Sequence, residues 1–472
     1  MERKSLLLIF ALVLLKIVVS IPFLTSQPID LDEPFSIYHA QKSLPHLFSI
    51  FKTENNPPLH FILLHFWEQL FGISALSVRS LSLLFSLLTI PILWKIASEF
   101  INFKAAILLC LLFIFSDYHH YHGLEARTYS LLVFEYSLLL YFLLKIVLTS
   151  SKPRAIHYII VGFLNALLFY THYIFPFILV SEIALILVFY NRIDWRKTGL
   201  TAVVFIVLCL PWIPMLLTRV DSIQTSGTWV STAQFSEIYG FINKFFNDKW
   251  GLLTLLILLV SLFLISRQRL ILLFKEKEQL IAILILLFTV PFLGAFALSR
   301  FGGIALFLDR YLFFLTVPLF TLCAIVFSQN GKAFQYSALI FILIFILRFD
   351  LKIENHRDGD KLANYVRSTG IKTIVIAPDY YDLTFMYHYN QKLFKEEYLR
   401  INEIKNGIYP LINEQTLKLL ESEKQLVLID ADYSFSHPSD TSLTWFRKHF
   451  SLISQRTFKG NYKVSVYSKK VN

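Results

Sequence analysis

Charge is what this sequence has little of. Only 16% of its 472 residues are Asp, Glu, Lys or Arg and 56% are apolar, whereas soluble domains carry about 25% charged residues. A soluble enzyme is excluded. Glycine (15) and proline (16) are also sparse, which excludes collagen-like and low-complexity disordered chains. The three cysteines, Cys110, Cys209 and Cys323, sit inside apolar stretches without pairing or ligand-type spacing. Neither a disulfide framework nor a zinc ribbon is implied. What is plentiful is Phe, 46 residues of it, together with long apolar runs, and the chain reads as a polytopic α-helical membrane protein.

The formal net charge is +11, yet the basic residues lie in short groups between apolar runs and form no single patch. That pattern is a topology signal and gives no nucleic-acid partner. The first run, Ser5 to Leu24, follows Glu2-Arg3-Lys4 and is long enough for a hydrocarbon core of about 30 Å at about 1.5 Å per residue. It lacks a small-residue cleavage site and reads as an uncleaved anchor with the N-terminus inside. Further spans are expected near 77–96, 104–117, 127–148, 155–171, 173–190, 197–218, 250–266, 278–299, 310–327 and 333–349. With these crossings the groups Lys95/Lys104, Lys145/Lys152/Arg154, Arg192/Arg196/Lys197, Arg267/Arg269/Lys275/Lys277 and Lys332 all fall on the cytoplasmic side, as the positive-inside rule requires.

The agreement holds only if Pro58 to Phe71 does not cross. Its His60, His65, Glu68 and Gln69, and the prolines that open it, suit an amphipathic helix at the outer face. Near Phe349 the chain changes character: positions 350 to 472 hold 18 basic and 15 acidic residues. The expected organisation is a transmembrane domain over 1–349, about eleven helices with an outer loop 25–76, and a small soluble α/β domain over 350–472 on the non-cytoplasmic side. In that tail, Asp358 to Ser368 and Leu383 to Tyr389 read as helices. Lys372 to Ala377 and Gln425 to Ile429 read as strands, and Tyr462 to Tyr467 as an edge strand.

The unusual polar residues collect on the outer side. Asp30-Leu31-Asp32-Glu33-Pro34 follows the first span; its carboxylates precede a helix-opening proline, so Asp32 is either an N-cap or a reactive group. Asp117-Tyr118-His119-His120-Tyr121-His122-Gly123-Leu124-Glu125-Ala126-Arg127 is packed between two apolar spans. Ionisable groups at such depth cost about 3 kcal/mol each and need a partner or a task, although interfacial Tyr and His are also common anchors. Arg79, Arg127 and Arg310 lie on the side poor in positive charge. They could hold a phosphate, or else pair with Asp309 or lipid headgroups. A lipid-linked sugar phosphate would use both features: cations on the leaving phosphate, and a carboxylate to take the proton of the acceptor hydroxyl.

The order of these motifs resembles the C-type glycosyltransferases, in the branch of the protein O-mannosyltransferases and aminoarabinose transferases. The residues that carry the resemblance are Asp32-Glu33, Pro57-Pro58-Leu59, Gly72 and Ser74 before Arg79, Glu125-Ala126-Arg127 with Tyr129, and Asp309-Arg310-Tyr311-Leu312. It covers residues 1 to about 330. The resemblance implies inverting transfer of a sugar from a polyprenyl-phosphate carrier to a protein, lipid or glycan acceptor at the outer face of a bacterial cytoplasmic membrane. By motif position Asp32 is the general base, Glu33 its support and Glu125 the second acidic residue. Arg79, Arg127 and Arg310 are assigned to the carrier phosphate. The His119-His120-x-His122 group stands outside the family pattern. No cofactor is assigned with certainty, and His119, His122 and His172 could compose a divalent-metal site. The alternative function is a transporter or lipid-linked saccharide flippase, which would need polar groups inside the spans, where Leu, Ile, Phe and Val dominate.

Overall fold

A computed structural model describes residues 3–51, 56–149, 153–218, 232–304, 306–351, 357–411, 414–436 and 442–470. The chain forms two compact units. One comprises Met1–Leu24, Leu44–Trp67 and Leu76–Lys352; the other comprises Thr25–Ser43, Glu68–Ala75 and Ile353–Asn472. The division is therefore not a single cut near residue 349, because two short segments from the outer loop pack with the C-terminal residues.

The first unit is helical. Six helices, Arg3–Leu24, Ala75–Phe100, Tyr129–Leu148, Trp195–Thr218, Lys249–Glu276 and Glu278–Phe301, are long and apolar enough to cross a membrane. Phe103–Ile114, Ala155–Thr171, Phe175–Val188, Phe313–Phe327 and Lys332–Leu347 are shorter apolar helices. Each apolar run read from the sequence falls on one of these. The run expected to stop at 266 meets a break there: Ser266 has non-helical backbone angles (φ −132°, ψ 29°), and a second helical stretch carries the chain on to Glu276. Arg267 and Arg269 follow that break and begin the second stretch.

Helices in lipid gain little from apolar contact with one another, so close packing and internal polar bonds must hold them. The packing is supplied by residues such as Leu109, Leu132, Leu139, Leu284 and Phe313, all fully buried. One knot of polar bonds is centred on Asn247, whose backbone is left-handed (φ 68°), a conformation Asn adopts more readily than most residues. Its side-chain oxygen accepts from the Asp117 N–H at 2.9 Å, and its amide donates to the carbonyls of Phe115 (2.9 Å) and Phe345 (3.0 Å). Both carbonyls belong to chain leaving a helix, where backbone acceptors lack intrahelical partners. The sequence expectation that span interiors are nearly pure apolar residues is corrected by Lys16, Glu135, Asn165 and Glu182. All four are buried in apolar helices, with Asn165 donating to Glu182 at 2.9 Å and Lys16 to the His119 carbonyl at 3.4 Å.

Helix Leu59–Phe71 buries His60, His65 and Glu68 and exposes Phe66, Leu70 and Phe71. Phe61 and Leu64 are buried with the polar residues, so the helix covers a mixed face and leaves Phe66, Leu70 and Phe71 uncovered.

In the second unit the five strands β1 (Ile374–Ala377), β2 (Ile408–Pro410), β3 (Gln425–Ala431), β4 (Phe450–Phe458) and β5 (Tyr462–Lys469) form one mixed sheet in the order β2-β1-β3-β5-β4. Strand β1 is parallel to β2 and β3; β5 is antiparallel to β3 and β4. The uninterrupted apolar run of β1 matches its burial along its whole length. Strand β5, expected at the edge, is internal. The edges are β2 and β4, and β4 is almost entirely exposed: its Ser, Gln, Arg and Thr leave no alternating apolar signal. Gly460 (φ 94°) and Asn461 (φ 62°) close the β4–β5 hairpin with the positive φ angles that suit strand twist.

Replacing Asn247 with Gly keeps the left-handed backbone and removes three hydrogen bonds at about 1 kcal/mol each. Thermal unfolding in detergent should show a loss of about 2 kcal/mol or more, and an unchanged midpoint would contradict this account of the knot.

Candidate active site

In the first unit the acidic and arginine turn is built from residues 116–128. A short helix, Asp117–Tyr121, runs into Gly123, where an added Cβ would lie 2.5 Å from the His119 carbonyl oxygen. Only glycine lets the chain turn this tightly. Two serines on helix Ala75–Phe100 hold the turn in place: Ser86 donates to the Gly123 carbonyl at 3.2 Å and Ser82 to the Glu125 carbonyl at 2.6 Å. The Arg127 N–H closes back on the Glu125 carbonyl at 2.7 Å. The Thr128 hydroxyl reaches the Thr171 carbonyl at 2.8 Å, which ties this turn to the one carrying His172.

The Glu125 carboxylate meets the His122 Nδ1 at 3.2 Å. Asp117 accepts the Asp350 N–H at 2.7 Å, and its pKa is pushed up to about 7, chiefly by burial and further by the Asp350 and Asp248 carboxylates. Asp309 is held below its usual value: burial opposes this, but Lys244, which bonds to it, and His122 outweigh burial. Arg79 is 2% exposed with its guanidinium 4.9 Å from the centre of the Phe23 ring, and Arg127 is 8% exposed. Arg127 and Arg310 both lie near His172. Burial first, and these two guanidiniums second, push the His172 pKa down to about 3. His60 falls to about 3 as well, through burial and Arg127. The result is a region where two cations stand among imidazoles that stay neutral.

The expected metal trio does not assemble. Among the described residues no three His, Cys, Asp or Glu side chains are grouped to hold a metal. His119 is packed between Phe113 and Phe313 and bonds through Nε2 to the Thr316 hydroxyl at 2.7 Å. Since that hydroxyl donates to the Phe313 carbonyl, His119 is its donor and fills a core position. His122 turns to Glu125, and His172 uses Nδ1 to accept the Ile174 N–H at 3.0 Å.

The second unit holds the other acidic motif. Asp32 precedes helix Glu33–Ala40, with Pro34 in its first turn, but its carboxylate makes no cap hydrogen bond. The N-cap alternative for Asp32 is therefore not realised. Glu33 is buried. The residue that fixes this loop is Asp30, which the sequence does not single out. It is 9% exposed and receives the Tyr462 hydroxyl at 3.0 and 3.1 Å on its two oxygens, as well as the Leu31 N–H at 2.6 Å. Arg357 donates to the same hydroxyl at 3.3 Å, and His388 bonds to the Ile29 carbonyl at 2.7 Å. Leu31 adopts φ 56°, a region costly for a branched side chain. Strand β5 thus clamps, through Tyr462, a strained loop two residues before Asp32. Farther along, Tyr38 donates to the Glu396 and Glu397 carbonyls, and Lys42 to those of Lys395 and Glu396. The C-terminal end of helix Glu33–Ala40 and the residues just after it are in this way fastened to residues 395–397.

Comparison with known proteins agrees with this architecture. Residues 55–215 match the family model described as dolichyl-phosphate-mannose-protein mannosyltransferase; the segment contains Arg79, Glu125, Arg127 and His172. No match is found among curated proteins. The chain is similar to the crystal structure of ArnT from Cupriavidus metallidurans in the apo state, at 13% identity and TM-score 0.63, covering 98% of this chain and 97% of that one. ArnT bound to undecaprenyl phosphate gives 13% identity and TM-score 0.58, with 99% and 98% covered. The Archaeoglobus fulgidus oligosaccharyltransferase in complex with Zn and sulfate gives 12% and 0.51, with 98% and 73% covered. The chain has the C-type glycosyltransferase fold: a multi-pass helical membrane unit with a small C-terminal sheet.

Converting Tyr462 to Phe leaves the buried Asp30 carboxylate without that donor, and about 1–3 kcal/mol of local stability should be lost. Hydrogen exchange over residues 29–33 would report the loss as faster exchange. Unchanged protection there would refute the clamp.

Proposed function

We propose that the chain transfers a sugar, a mannose-like hexose or another glycosyl unit, from a polyprenyl-phosphate carrier to a protein, lipid or glycan acceptor, with inversion at the anomeric carbon. The observation that carries this reading is that Arg127 and Arg310, from separate segments, both act electrostatically on the buried His172, in a chain whose residues 55–215 match a mannosyltransferase family. Guanidiniums suit phosphate because their forked donors can engage two oxygens at once. Arg79, Arg127 and Arg310 are assigned to the carrier phosphate, Asp32 to removal of the acceptor proton, Glu33 to the support of Asp32, and Glu125 to the second acidic motif, oriented by His122. The similarity to ArnT bound to undecaprenyl phosphate supports a polyprenyl-phosphate donor.

The reading puts the chemistry on the non-cytoplasmic face of a bacterial cytoplasmic membrane, and the positions of the basic loops support the outward face. No cofactor is assigned to the reaction. Transport or saccharide flipping is the second reading, favoured by Lys16, Glu135, Asn165 and Glu182 buried within apolar helices. Asn165 and Glu182 bond to each other, however, as structural polar pairs in membranes do. Labelling of Asp32→Cys with an impermeant thiol reagent separates the two: reaction from the outside alone fits the transferase, and reaction from both sides fits alternating access.

Asp32→Asn should lower turnover by about 100-fold or more, the scale of a lost general base, while binding of undecaprenyl phosphate persists. Wild-type turnover in this variant would sink the assignment. Arg310→Ala should weaken carrier binding about tenfold, as expected for one charge-assisted bond, and leave acceptor binding unchanged. Equal loss of both would count against its phosphate role.

A further inference from the structure

His172 is 4% exposed and follows helix Ala155–Thr171 directly. Its Nδ1 accepts the Ile174 N–H at 3.0 Å. A neutral imidazole carries one proton, and with Nδ1 occupied as an acceptor that proton sits on Nε2. Burial and the neighbouring guanidiniums keep the ring neutral, with the pKa down to about 3. The tautomer is thereby fixed, and Nε2–H points into the protein as a donor. Among the described residues it meets no acceptor, and buried donors rarely go without one.

The surroundings specify what kind of acceptor belongs there. Tyr311 lies 4.8 Å from the imidazole, ring centre to ring centre, and Tyr129 6.4 Å, so both aromatic neighbours come from chain adjoining the two arginines. The Thr128 hydroxyl bond to the Thr171 carbonyl holds the residues beside Arg127 and His172 in register. One neutral donor and two cations that act on it electrostatically come from three separate segments. A metal ion would face two guanidiniums and a nitrogen whose lone pair is replaced by a proton. An anionic oxygen would accept from the His172 Nε2–H and be favoured by both guanidiniums.

We propose that the Nε2–H of His172 donates a hydrogen bond to a phosphate oxygen of the glycosyl carrier, as a third donor beside Arg127 and Arg310. The inference rests on the polyprenyl-phosphate reading above. During transfer the bond from the anomeric carbon to the phosphate oxygen breaks, and the acceptor oxygen bonds to that carbon. The acceptor proton passes to the base carboxylate. The bonding electron pair stays on the phosphate, which changes from a diester with one negative charge to a monoester with up to two. A fixed donor at that oxygen gains strength as the charge develops, so it acts on the transition state more than on the bound donor.

The test compares His172→Phe, His172→Ala and His172→Gln in the full-length protein, with undecaprenyl phosphate in detergent as the probe. His172→Phe and His172→Ala should bind it about 10-fold or more weakly, and His172→Gln, whose amide can donate, should recover most of that loss. Binding of undecaprenol, which lacks the phosphate, should be the same in all. In turnover the Phe and Ala variants should lose kcat more than they raise KM. Wild-type binding of undecaprenyl phosphate in folded His172→Ala would overturn the inference and leave the carrier reading standing. Failure of the folded wild type to bind undecaprenyl phosphate would instead remove the carrier reading. His172-dependent binding of phosphatidylglycerol in place of the carrier would assign the donor to a membrane headgroup and overturn the proposal, as would His172-dependent stabilisation by Zn²⁺ or Mn²⁺.

Discussion

A polar group that leaves water for hydrocarbon must find its partner within the protein, and the helical unit is arranged around that requirement. Helices satisfy their backbones internally except at their ends. The ends that matter here are therefore closed by side chains. Asn247 serves three backbone groups at once, Asn102 accepts the Ala105 N–H at 2.9 Å and donates to Ser328 at 3.0 Å, and Asp248 accepts from both Trp250 and Gly251. The same requirement explains the serines under the Glu125 turn. In a soluble protein those carbonyls could have been left to water.

This closure gives the arginine region its electrical character. The imidazoles at positions 60, 119, 120 and 172 are buried, and burial holds each below its usual pKa. A turn that reads in the sequence as a block of bases contributes little positive charge of its own. The cationic character comes from the guanidiniums, which cannot give up their protons under these conditions. Neutral imidazoles beside arginines spare the region further like-charge repulsion and leave N–H groups able to donate. His119 and His172 divide along this line: the first spends its donor on Thr316 inside the aromatic core, and the second keeps its donor beside Arg127 and Arg310.

The membrane unit was largely legible in the sequence because long apolar runs admit few other readings. The segments for β1, β3 and helix Gly359–Thr369 were legible for the related reason that apolar periodicity survives in a small domain. Strand β4 was not, since an exposed edge carries polar residues on both faces and has no period to detect. The acidic and arginine motifs could be named from spacing, but their support could not. Tyr462 is 432 positions from Asp30, and no local pattern joins them. Lys16, Glu135, Asn165 and Glu182 were hidden in a different way: single polar residues scarcely alter the mean hydropathy of a 20-residue run, yet each demands a buried environment.

The loop before Asp32 shows what such support is for. Leu31 occupies a left-handed conformation that a leucine resists, and Asp30 keeps a carboxyl out of water, where burial raises its pKa despite the opposing influence of the Leu31 N–H, Arg357 and Tyr462. Each feature alone destabilises the loop. Together, with the Tyr462 hydroxyl on both carboxylate oxygens and His388 on the Ile29 carbonyl, they fix the backbone two residues ahead of Asp32 in one arrangement. The carboxylate of Asp32 can then stay out of capping duty, because the start of its helix is set by Pro34 and by the residues before it. Strain tolerated at 31 and an acid buried at 30 are intelligible as the cost of holding the following Asp-Glu pair in a defined position.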